Sequence, residues 1–126
     1  MPAFYKIDKD RGLVLSSASG VFSMVDARSH QERLSKHPDF NPGFSQIADF
    51  SQCTQFDISA EDIRALAEVP IFSPQSRRAL VLPTDLAYGL GRMFEMLRES
   101  HGDTGIRAFR TLEEALDWVF SKRNSA

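Results

Sequence analysis

A single cysteine, Cys53, stands among the 126 residues, so no internal disulfide can form. A chain of this size does not need one, because folding buries about two-thirds of its unfolded surface. A lone thiol fits a reducing compartment. No apolar run approaches the ~18 residues that cross a bilayer. Residues 1–8 bring in charge before the apolar stretch of a secretory signal can form. A cytoplasmic protein without a membrane span is expected.

Charge of one sign is also lacking. Fifteen Lys and Arg face 17 Asp and Glu, a formal charge of -2, and residues 1–58 and 59–126 are each close to neutral. Recognition of a phosphate backbone needs a concentrated positive surface. The pairs Arg77/Arg78 and Arg107/Arg110 are too small for that. Nucleic acid is not expected as a partner.

Signatures of chemistry are missing as well. His30, His37 and His101 have no metal-ligand spacing, Cys-x-x-Cys is absent, and no acids fall in a calcium-loop frame. All three histidines lie in polar segments and read as solvated. Gly89-Leu90-Gly91 lacks the third glycine of a dinucleotide fingerprint and sits inside a helical pattern. Ser17-Ala18-Ser19-Gly20 lacks the leading glycine of a nucleophile elbow. Cys53 paired with a histidine has no accompanying feature of an activated thiol. No cofactor, no metal and no catalytic residue are expected. An enzyme built from Asp49, Asp57 and His37 would require their convergence in three dimensions.

What is present is an ordinary globular mix, 42% hydrophobic and 25% charged. One domain over residues 1–126 follows. Residues 4–8 and 12–16 favour strands, and Asp10-Arg11-Gly12 supplies a hairpin turn. Ser19-Gly20 breaks the second strand. Ser23 then caps a helix with Met24, Ala27, Gln31 and Leu34 at helical spacing, ending near His37-Pro38. Residues 44–50 read as a strand followed by a loop over 51–55. Ser59 caps a helix carrying Ile63, Leu66 and Ala67. Residues 78–82 form a near-continuous apolar strand, as interior strands do.

Pro83-Thr84-Asp85 opens the longest helix, with a stripe of Leu86, Leu90, Met93/Phe94 and Leu97. Gly89 and Gly91 inside it point to close packing on a sheet. Residues 105–109 are the last strand. Thr111 and Glu114 form a capping box that satisfies backbone donors. Leu112, Ala115/Leu116 and Val119 face inward along the final helix, and the polar tail over 121–126 is expected to fray. The order β-β-α-β-α-β-α-β-α predicts an α/β fold: a mixed five-stranded sheet with an N-terminal antiparallel hairpin and about four packed helices.

Three segments carry a family resemblance: Ile47-Ala48-Asp49-Phe50-Ser51, Arg78-Ala79-Leu80-Val81-Leu82-Pro83, and the run from Phe109-Arg110 through Glu114-Ala115-Leu116-Asp117-Trp118. Over nearly the whole chain, this resembles the SpoIIAA-like group of small bacterial proteins, which is related to STAS domains and described alongside CRAL-TRIO-like domains. In STAS domains a strand ends in Asp-hydrophobic-Ser, and a later Asp-Ser-Ser-Gly stretch carries a phosphoacceptor serine. The first element is matched by Asp49-Phe50-Ser51. The second reads Asp57-Ile58-Ser59-Ala60, with Ile58 in the acceptor's place.

The resemblance implies a non-enzymatic regulatory module that meets an unknown protein partner over Asp49, Ser51, Asp57, Ser59 and Glu61. The alternative is a small apolar-ligand or lipid-binding domain, with a pocket at Thr84, Tyr88, Arg92 and Phe94 between the long helix and the sheet. A homodimer through an edge strand or helix face stays open.

Overall fold

The computed structural model describes residues 3–121. The chain runs β1 (Ala3–Asp8), β2 (Leu13–Ser23), α1 (Met24–Ser35), β3 (Ser45–Asp57), α2 (Ala60–Ala67), β4 (Arg78–Val81), α3 (Asp85–Ser100), β5 (Ile106–Phe109) and α4 (Leu112–Phe120). The sheet order is β1-β2-β3-β4-β5, with β1 antiparallel to β2 and every other pair parallel. The expected mixed five-stranded α/β architecture is present. Gly12, at φ 60°, closes the first hairpin in the left-handed region that glycine enters without a Cβ penalty.

Because the strands follow in sequence order, right-handed crossovers stack α1, α2 and α3 on one face. Residue alternation confirms the sides. Val14, Ser16 and Ala18 of β2 face these helices together with Gln46, Ala48 and Phe50 of β3. Leu13, Ile47, Ala79 and Val81 pack on the opposite face under Ala115 and Val119 of α4.

β2 and β3 are longer than their neighbours, at 11 and 13 residues against four in β4. β3 therefore does not stop at Phe50, and the loop expected over 51–55 is strand. Two register shifts, between Ser17/Ser19 and Gly20/Val21 on β2, each place one extra residue in β3. Such bulges bend a strand and re-aim its side chains. Here they turn Cys53 and then Phe56 inward beside Phe50. Ser19-Gly20 likewise bends β2 without ending it. β4 ends at Val81, one residue short of the expected Leu82 and just before Pro83, so the β2–β3 ribbon overhangs the sheet.

On two helices the expected stripe faces inward except for its first leucine. On α3, Leu90, Met93, Phe94 and Leu97 pack on the core, with Ala87, Gly91 and Arg98 the most deeply buried, while Leu86 is 68% exposed. A Cβ at Gly91 would run into Leu82 Cδ1, so the helix approaches the strand closely there and can roll no further. Gly89 has open space around it and no such role. On α4, Leu112 is exposed and Ala115 and Val119 carry the packing.

Capping follows expectation at Ser23, Ser59, Thr84 and Thr111. At Thr111, however, the Glu114 carboxylate accepts the threonine hydroxyl (2.9 Å) rather than a backbone N–H. Of the polar tail, Ser121 is tied to Arg77, which donates to its carbonyl (3.1 Å). Residues 122–126 lie outside the described residues.

Candidate functional site: an apolar pocket with a polar floor

Between the sheet and helices α1–α3 lies a pocket of about 140 Å³. Its walls are largely apolar, from Phe22, Phe50, Phe56, Ile58, Leu80 and Phe94. Three of these rings support one another: Phe22 meets Phe50 and Phe56 at centroid distances of 5.0 and 5.5 Å, and Phe50 meets Phe56 at 5.5 Å. The bulges of β3 create this wall, because they bring Phe56 back to the inner side.

The floor is polar. Ser16, His30 and Gln46 are all buried, and all line the pocket. His30 Nε2 lies 2.8 Å from Ser16 Oγ, and Gln46 Nε2 donates to the same oxygen at 3.0 Å. His30 Nδ1 lies 3.2 Å from Gln31 Oε1, which can only accept. That contact assigns the proton to Nδ1, so Nε2 is free to accept the Ser16 hydroxyl proton. Tyr5 closes the far side of the imidazole edge-on at 5.7 Å.

His30 is only 8% exposed, which corrects its reading as a solvated residue. The reason is rotational. The line from Ala27 to Leu34 on α1 passes between positions 30 and 31, and the helix buries Ala27, His30 and Leu34. Met24 and Gln31 flank that stripe, half-buried. Burial pushes the His30 pKa below its usual value, the Gln31 hydrogen bond opposes this, and Arg33 adds to the lowering. Folding thus favours the neutral ring. Stability is complete above the unfolded pKa of ~6.5 and falls as pH drops through that value toward the folded pKa. Urea midpoints followed from neutral to mildly acidic pH should show this decline, and His30→Gln should flatten it. An equal decline in the variant would remove His30 as its source.

The residues singled out in the sequence are dispersed. Phe94 lines the pocket, whereas Thr84, Tyr88 and Arg92 do not. Thr84 accepts from Ala87 N (3.2 Å) as a helix cap. Tyr88 lies beneath the Arg110 guanidinium, 5.3 Å from its ring centre. Arg92 is exposed and paired with Glu95. Asp49 and Ser51 are linked within β3, the Ser51 N–H donating to Asp49 Oδ1 (2.9 Å), and Asp49 also borders the pocket. Asp57, Ser59 and Glu61 are exposed near the start of α2, where Ser59 Oγ accepts from Asp62 N (3.1 Å).

Cys53 is half-buried, and burial, Asp49 and Asp26 all push its thiol pKa up. It should react with an alkylating reagent more slowly than a free thiol at neutral pH, and a faster reaction would contradict this environment. Among the described residues, no group of three His, Cys, Asp or Glu side chains is placed to hold a metal ion. No helix among them is long and apolar enough to cross a membrane.

A second buried polar cluster went unread in the sequence. Asp103, 1% exposed, lies between Arg78 and Arg98, both also buried. Arg78 grips both carboxylate oxygens, Nη1 donating to Oδ2 at 2.8 Å. Arg98 Nε donates to Oδ2 (3.2 Å), and its Nη1 to the Ala67 carbonyl (2.7 Å). The cluster ties β4, the end of α2, α3 and the approach to β5 together. It adjoins a small side cavity of about 40 Å³.

Over 93% of this chain and 91% of the other, the structure superposes on an uncharacterised protein of the DUF3478 family with a SpoIIAA-like fold from Shewanella loihica PV-4, at a TM-score of 0.57. The fold is SpoIIAA-like. Sequence identity to that protein is 17%, so the likeness concerns architecture and not chemistry. No family model matches the sequence, and no curated protein matches it significantly. Ile58 is 6% exposed and forms part of the pocket wall.

Proposed function

We propose that the protein is a non-enzymatic binding module that takes a small, mainly apolar ligand into the pocket between the sheet and α1–α3. The single observation that carries this is the combination of an apolar wall with a hydrogen-bonded Ser16–His30–Gln46 floor. Ligand sites are typically concave, mostly apolar and marked by a few convergent polar groups.

Ser16 and His30 have the polarity of a nucleophile–base pair, yet the environment supports binding rather than turnover. A serine–histidine hydrolase must stabilise an imidazolium, which a buried carboxylate does in the familiar triads. Here the Nδ1 partner is the neutral amide of Gln31, and burial disfavours the charged ring. A nitrophenyl acetate assay should therefore show no rate difference between the wild type and Ser16→Ala. A Ser16-dependent burst would contradict the non-enzymatic reading.

The partner-docking alternative rests on the family resemblance, and the exposure of Asp57, Ser59 and Glu61 is one that any surface helix start shares. A cytoplasmic site of action accords with the lone, unpaired Cys53.

The pocket reading is tested with toluene as probe. Thermal unfolding should shift upward with toluene concentration, as expected for a ligand that binds only the folded state. Ala48 is buried and lines the pocket, so Ala48→Leu fills it and should abolish the shift. An undiminished shift in this variant, or none in the wild type, would overturn the reading.

A further inference from the structure

The floor narrows the class of ligand, on the footing of the pocket reading above. Gln46 is more than nine-tenths buried, and its amide nitrogen is committed to Ser16 Oγ. Its carbonyl oxygen has no hydrogen-bond partner among the described residues. Ser16 Oγ gives its proton to His30 and accepts from Gln46, which leaves it one lone pair. Both open positions on the floor are therefore acceptors, and what they lack is a donor.

The charge nearest this end of the pocket, Arg78 on β4 beside Gln46, is committed to Asp103. No Lys or Arg lines the pocket, and Asp49 is the one acidic residue that does. Strand alternation sends the Asp49 side chain to the opposite face from Gln46 and Ala48. A charged ligand would be desolvated with no counter-charge at the floor, which is strongly unfavourable. Size sets the other limit. At about 140 Å³ the pocket is close to an engineered cavity of ~150 Å³ in another protein that takes up benzene.

We propose that the pocket takes an uncharged, ring-sized molecule bearing one hydrogen-bond donor, of the phenol or indole type, whose donor meets Gln46 Oε1 or Ser16 Oγ.

Calorimetric titration of the full chain at neutral pH with phenol, toluene, benzylammonium and benzoate tests this. Phenol should bind about tenfold more tightly than toluene, the gain of one hydrogen bond to a buried acceptor, and the two ions should not bind measurably. Gln46→Met keeps the length and apolar volume of the side chain and should bring phenol down to the level of toluene. Ser16→Ala, a smaller change to the same floor, should narrow the preference and serves if the methionine variant does not fold. Equal binding of phenol and toluene to the wild type would overturn the donor assignment, as would either ion matching phenol. Failure of both neutral probes would overturn the pocket reading itself, and the proposal with it.

Discussion

Replacing Asp103 by alanine is expected to lower folding stability by about 3–5 kcal/mol, as when one partner is deleted from a buried ion pair. The carboxylate is fully buried between Arg78 and Arg98 and also accepts the Gly105 N–H at 3.0 Å. Its removal strands two buried guanidinium groups together. Urea denaturation at neutral pH measures the loss, and a change below ~1 kcal/mol would mean that the cluster is hydrated or rearranged.

The same group makes a prediction about pH. Burial alone would raise the Asp103 pKa, but the hydrogen bonds from Arg78, Gly105 and Arg98 outweigh it, and the net shift is downward. A carboxyl whose folded pKa is depressed contributes stability above its unfolded pKa of ~3.9 and loses it as pH falls through the folded value. This acid limb lies below the window assigned to His30, so the two are separable in one pH series.

Gly105→Ala is expected to be the second large loss, about 2–3 kcal/mol, the upper part of the range for overpacking. A Cβ there would press into the Ser76 carbonyl oxygen, into Arg78 Nη2, and onto the Pro74 carbonyl at 3.0 Å. Two of those are backbone atoms, so no rotamer change relieves the contact. The Gly105 carbonyl also accepts from Arg78 N (2.7 Å), which fixes the register of β5 on β4. Because Gly105 and Asp103 act on the same arginine, the double variant should lose less than the sum of the single losses. Full additivity would contradict a shared cluster.

Element order and most boundaries were legible because local chemistry specifies them. Ser23, Ser59, Thr84 and Thr111 each cap a helix, and Pro83 halts β4. The length of β3 was hidden by Gln52, Thr54 and Gln55, polar residues of an overhanging ribbon that reads as a loop when covered on one side only. The exposure of Leu86 was hidden because the close approach of Gly91 to Leu82 is a tertiary contact that periodicity does not show. The pocket floor left a faint trace. Gln46 interrupts the apolar side of its strand, and His30 lies as close to the Ala27–Leu34 line as Gln31 does. What was illegible was their meeting, since Ser16, His30 and Gln46 come from three elements and converge only through the β2–β3 register. Asp103 was likewise silent, as an acid after a helix stop usually faces water.

The central claim is a preformed, apolar-walled pocket whose one polar end is built from Ser16, His30 and Gln46. A crystal of the protein pressurised with xenon tests it most directly, since xenon enters apolar cavities without needing hydrogen bonds. The account predicts one xenon site between Phe22, Phe56 and Phe94, above an intact Ser16–His30 hydrogen bond. A pocket collapsed around the phenylalanines, or filled by a chain of ordered waters with no xenon, would contradict it.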